Sequence, residues 1–178
     1  MDRIEMYKQL AERNGWDFSM DTEYNRPYFQ KNGDYAVPDE KTTPEDRVLL
    51  ASIIAEGSVQ LRKIALMCWE NGIRITGPCS GIKEFHDRMP FTLHLGIKAP
   101  IEIIDPLHKR LSELLPNLNY MIREDKDDLI RYDIDLPLNN KALTKDQSEQ
   151  IFGVIYNELE RILHPKKTNE DNKTLTNS

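Results

Sequence analysis

Long apolar runs, cysteine and surplus basic charge are what this chain of 178 residues has least of. No apolar stretch approaches the ~20 residues that cross a bilayer as a helix. The N-terminus, MDRIEMYKQL, is charged and helix-like where a secretion signal would be apolar, so the expectation is a cytoplasmic protein with no membrane partner. Two cysteines, Cys68 and Cys79, are too few for a disulfide framework and read as free thiols. With 24 basic against 30 acidic residues, the net charge of -6 excludes a broad basic surface for gripping phosphates. Direct nucleic-acid binding is therefore the lesser expectation, although a local basic groove stays open. Motifs are also missing. Gly77-Pro78-Cys79-Ser80-Gly81 lacks the Gly-Lys-Ser/Thr ending of a phosphate-binding loop, and there is no dinucleotide fingerprint. Cys79, His86 and His94 do not have a compact zinc spacing, so neither a cofactor nor a metal is expected.

What the chain does contain is enough for one domain with a real core, 39% of its residues being hydrophobic. The organising stretch runs from Gly57 to Ile97. Ser58 caps a helix with Leu61, Ile64, Ala65 and Cys68 on one face, ended by Asn71-Gly72. A short strand, Ile73 to Thr76, leads into the Gly77 to Gly81 turn. A second, Met89 to Ile97, alternates Phe91, Leu93, Leu95 and Ile97 against Thr92, His94 and Lys98.

Upstream, Asp2 to Arg13 reads as a narrow amphipathic helix ended by Asn14-Gly15. Six aromatic residues then fall between Trp16 and Tyr35, and Asn32-Gly33 between two β-prone runs predicts a hairpin over Pro27 to Val37. Asp39 to Thr43 is a charged linker, and Thr43-Pro44-Glu45-Asp46 is a helix start. Downstream, Asp105-Pro106 opens a helix carrying Leu107, Leu111, Leu114 and Leu115. Asn119 to Arg123 and Leu129 to Leu136 are strands, and Thr144-Lys145-Asp146-Gln147 is a capping box before a strongly amphipathic helix. The reading is an α+β fold: a mostly antiparallel four-stranded sheet with helices packed on one face, plus an N-terminal helix and hairpin arm. The divisions are an arm over 1–43, a core over 44–163 and a disordered tail over 164–178.

Three places can carry chemistry. The glycine-flanked turn Gly77, Cys79, Ser80, Gly81 allows close backbone approach, and Cys79 with His86 is a possible nucleophile and base. Tyr24, Tyr28, Phe29 and Tyr35 are rings of the kind used at interfaces, or else they fasten the arm to the core. Asp125, Asp127, Asp128, Asp133 and Asp135 form an acidic strand pair, with Asp133 and Asp135 on one strand face, suited to docking on a basic surface.

The run WENGIRITGPCSG, Trp69 to Gly81, followed by FTLHLGI, resembles small proteins of Gram-positive bacteria and their mobile elements. In these a helix ending in Asn-Gly-Ile precedes a strand and a Cys-x-Gly turn. It is similar also to the Cys-Ser-Gly turn of the wybutosine-synthesis methyltransferases, where arginine follows the glycine that Ile82 follows here. The first resemblance implies an anti-defence, anti-CRISPR-like factor. Together with the acidic balance, the expectation is a small regulator or inhibitor that occupies a protein partner, such as a nucleic-acid-binding effector. The alternative is a nucleotide- or RNA-acting enzyme using the Cys79-Ser80-Gly81 turn. Oligomeric state is not legible.

Overall fold

The computed structural model describes residues 2–21, 26–82, 91–137 and 143–165. Helix α1 (Arg3–Asn14) starts where the Asp2 carboxylate accepts from Ile4 N and stops at Gly15, whose φ of 64° is left-handed. Strands β1 (Asp17–Asp21), β2 (Arg26–Lys31) and β3 (Asp34–Tyr35) form a small antiparallel sheet in chain order. Asn32 and Gly33 both have positive φ, 54° and 79°, as the tight hairpin turn requires. The predicted hairpin is present. The extra strand β1 was unpredicted because Asp17-Phe18-Ser19-Met20-Asp21 has little intrinsic β-preference, and its pairing with β2 supplies the order.

Helices α2 (Pro44–Ile54) and α3 (Val59–Glu70) follow, separated by two left-handed residues, Glu56 at φ 47° and Gly57 at 84°. The second sheet contains β4 (Arg74–Cys79), β5 (Phe91–Ala99), β6 (Asn119–Glu124) and β7 (Ile130–Pro137), in the order β4-β5-β7-β6 with every pair antiparallel. Helix α4 (Ile101–Leu114) carries the chain from β5 to β6, leaving room for β7 between them. Helix α5 (Lys145–Leu163) closes the described chain, with both hydrogen bonds of the capping box at Thr144 and Gln147 formed.

One start signal misled. Asp105-Pro106 does not open α4, which begins after Pro100 and keeps Pro106 inside. The buried stripe already includes Ile104, one turn before Leu107 and Leu111, and this apolar face carries the helix through the proline.

Alternation in β5 and β7 divides the second sheet into two faces. Leu93, Leu95 and Ile97 stand opposite Leu136, Ile134 and Tyr132, and these belong to one hydrophobic cluster with Leu107, Phe152 and Ile155. That cluster also includes Tyr7, Trp16 and Phe29, so the arm and the rest of the chain share a core. Phe29 is therefore core, 4% exposed and in ring contact with Tyr7, Trp16 and Phe18, so of the two roles left open for these rings it takes the fastening one and not the binding one. Alternation explains it: Tyr28 takes the outer side of β2 and Phe29 the inner. Tyr24 and most of the predicted tail, 166–178, lie outside the described residues.

Candidate functional site at the polar face of the sheet

Opposite the apolar face, cross-strand register assembles a polar layer. His94 stands beside Asp135, Gly96 beside Asp133, Lys98 beside Arg131, and Arg123 of the edge strand beside Arg131. Asp133 is the fixed point. Only 2% exposed, it accepts from Arg123 Nη2 at 2.7 Å and from Arg131 Nε at 2.9 and 3.0 Å. Two guanidinium groups offset the desolvation that an isolated buried carboxylate would suffer. The expected paired acids are thus on one face, but Asp133 is an internal anchor where an exposed docking acid was expected.

His94 comes next. Its Nδ1 is hydrogen-bonded to the Asp135 carboxylate, and its Nε2 lies 3.8 Å from Asp133 Oδ1. Across from it stands the hairpin. A Cβ at Gly77 would lie 3.4 Å from both His94 Nε2 and Tyr35 Oη, so hairpin, turn and sheet meet at this glycine. Gly77 also needs its φ of 57°. The Tyr28 and Tyr35 rings, with centroids 6.1 Å apart, form one wall. Burial raises the pKa of the Tyr35 phenol, and Tyr28 raises it further against the opposing pull of Arg26 and Arg131.

Arg26, at the start of β2, reaches over to bond the Pro78 carbonyl and pairs with Glu56 at 2.7 Å, with both side chains nearly buried. These groups enclose an open cleft of about 330 Å³ lined by Arg26, Tyr28, Tyr35, His94, Arg131 and Asp135, among others. Beside it is a narrow slot of about 40 Å³ that shares Arg26, Tyr28, Tyr35 and Gly77 and continues between Leu50, Ile53, Ile54, Trp69 and Ile75. Arg26 is offset by Glu56, and Arg123 and Arg131 share Asp133, so the cationic edges left open to the cleft are those of Arg123 and Arg131, 54% and 36% exposed. The exposed arginine edges and the phenols offer donors to an anion, and the imidazole supplies a group able to take or give a proton.

The other predicted positions lie elsewhere. Cys79 is fully buried, and burial chiefly, with Glu56 adding to it, pushes its thiol up to about 12, so it is not a thiolate at neutral pH. Its suggested base, His86, lies outside the described residues. Ser80 donates its amide to Glu56 and its hydroxyl to the Glu56 carbonyl, while its own carbonyl accepts from Ser148 at 2.6 Å. The amide, hydroxyl and carbonyl of Ser80 are thus occupied inside the fold, where an anion-facing turn was expected, with Gly81 at φ 73° completing the reversal. Asp125 pairs with Lys98 at 2.8 Å. Asp127 and Asp128 sit at the exposed β6–β7 turn with φ of 61° and 57°. Both cysteines are free.

Sequence reasoning did not name Arg26, Arg123 and Arg131 as site residues, and grouped His94 with Cys79 and His86 rather than with Asp133 and Asp135. The signal that would have found them is the shared polar parity of His94, Arg131, Asp133 and Asp135 along two strands, once those strands are known to be neighbours. Among the described residues no three His, Cys, Asp or Glu side chains are grouped to hold a metal ion, and no helix is long and apolar enough to cross a membrane. No family model, curated protein or solved structure matches the chain.

Proposed function

We propose that this protein binds a compact anionic ligand in the cleft between the arm and the sheet. One observation carries the reading: in an acidic chain, the exposed edges of two arginines, Arg123 and Arg131, and an imidazole converge on a single concavity, whose size falls in the range of small-molecule sites. Arg123 and Arg131 both hold Asp133, so each can lose its charge while Asp133 keeps a partner. Titration calorimetry with inorganic phosphate and with acetate tests the idea. Arg131→Gln and Arg123→Gln should each weaken binding about tenfold, the loss of one charge-assisted hydrogen bond, while exposed Lys145→Gln on α5 leaves it unchanged. Equal affinities in all four proteins would sink the reading.

A second reading, a cytoplasmic regulator or inhibitor of a protein partner, is favoured by a different surface. Edge strand β6 exposes Met121 and Ile122, 48% and 41%, just before the acidic turn with Asp127 and Asp128. A strand at a sheet edge with apolar side chains is suited to contact another chain. Its most specific form is an anti-CRISPR-like factor of a mobile element acting on a nucleic-acid-binding effector. The test adds the protein to a purified Cas9-type nuclease at low and physiological salt. Undiminished DNA cleavage without co-elution removes that form of it.

A further inference from the structure

We propose that the ligand is a short amphiphile, an organic anion whose charged head sits in the cleft and whose apolar tail enters the adjoining slot. The inference rests on the anion-binding reading above and adds the chemistry of the rest of the molecule. The two concavities adjoin at Arg26, Tyr28, Tyr35 and Gly77, yet their far ends differ in kind. Arg123, Arg131 and His94 line only the cleft. Leu50, Ile53, Ile54 and Ile75 line only the slot, as do Trp69 and the Glu56 carboxylate, the latter held by Arg26. A ligand spanning the neck therefore meets charge at one end and hydrocarbon at the other.

The neck fits this division. Arg26 already pairs with Glu56 and the Pro78 carbonyl, so its charge is met there, and the half-buried faces of Tyr28 and Tyr35 provide apolar walls with hydroxyl edges. Protein interiors are close-packed, and an apolar void leaves its lining atoms without contacts. The end of the slot between Leu50, Ile53, Ile54 and Ile75 is therefore better filled by carbon than by water, which needs two to four polar partners. Its volume of about 40 Å³ limits the tail to a short alkyl group. Carboxylate and phosphate heads share the chemistry the arginines recognise, and the two arms of the test separate them.

The full-length protein is titrated with acetate, propanoate, butanoate and hexanoate, then with inorganic, methyl, propyl and butyl phosphate, and with propanol and butanol as neutral controls. The expected result is an association constant rising about fourfold per methylene, as each carbon leaves water, then levelling once the tail outgrows the slot. The alcohols should bind at least tenfold more weakly than the matching anion. Ile53→Phe, filling the slot, should abolish the chain-length gain, whereas exposed Lys145→Gln should keep it. The wild-type series decides the matter even if that variant misfolds. Heads that bind with no dependence on chain length overturn the amphiphile and leave the anion site standing. Alcohols that bind as well as anions overturn it too, and no binding by any anion removes both readings.

Discussion

A methyl group at position 96 would stand 2.2 Å from Thr76 Oγ1, 2.6 Å from the Thr76 carbonyl oxygen and 2.9 Å from Asp133 Oδ1. Two of these neighbours cannot swing aside: one is backbone, and the other is a carboxylate held by two arginines. Gly96→Ala should therefore cost about 3 kcal/mol, the upper end of ordinary overpacking, measured as a lowered urea midpoint with an unchanged slope. Adjacent residues on β2 give a sharper contrast. Phe29→Ala removes a ring from the aromatic cluster and should cost ~3–5 kcal/mol. Tyr28→Ala, on the half-exposed side of the same strand, should cost much less stability but weaken ligand binding. Thermal melts and titrations on both variants check this, and equal destabilisation would show that Tyr28 belongs to the core rather than to the cleft wall. These roles differ by one residue of register, which is why aromatic content alone did not separate them.

Helices announce themselves locally, and strand neighbours do not. The caps at Ser58, Thr43 and Thr144 each hold their N3 amide as the sequence implied, because a cap and the amide it satisfies are three residues apart. Thr144→Ala should lower stability by about 1 kcal/mol, readable as a melting-temperature drop of about 2–4 °C for a chain of this length. In the second sheet β5 and β7 were legible from alternation, β4 and β6 only as short runs, and the hairpin from Asn32-Gly33. The order β4-β5-β7-β6 was not, since it depends on α4 spanning a gap that β7 later fills. The candidate site depended on that order. Asp135 and Asp133 could be seen to share a face, but nothing local places His94 alongside them, 41 residues before Asp135. The glycine-rich turn drew attention through composition, while the polar atoms of its Ser80 were already engaged by Glu56 and Ser148, which lie far from it in sequence.

Across the whole molecule, long-range ion pairs fasten the arm to the helices and sheet of the core. Arg13 on α1 bonds Asp46 on α2 at 2.8 Å, and Lys98 on β5 reaches Asp34 on β3 at 3.3 Å. Arg13 holds the Asp46 carboxyl below its ordinary value of 3.8, and Asn14 assists. A carboxyl depressed by folding adds stability above its unfolded pKa and loses it as the pH falls through the folded one. Asp46→Asn should thus lower the melting temperature at pH 7 by about 2–4 °C, for roughly 1 kcal/mol discounted for the exposed Arg13. The gap should narrow as the pH falls below 3.8, and a gap that stays constant from about pH 7 to about pH 2.5 would mean that the carboxylate charge is not what Arg13 stabilises.

The cleft takes one wall from Tyr28 and Tyr35 and its floor from His94, Asp133 and Asp135. On the ribosome these pieces emerge far apart in time. The hairpin leaves first, and roughly a hundred further residues must be added before Asp135 exists, about 5–20 s of synthesis at ordinary elongation rates. Until then the nascent hairpin has neither the imidazole nor the buried carboxylate to close upon. If the proposed anion binds there, one supplied during translation would be retained only by chains whose sheet is complete, and its capture on stalled ribosomes would report when β7 takes its place between β5 and β6.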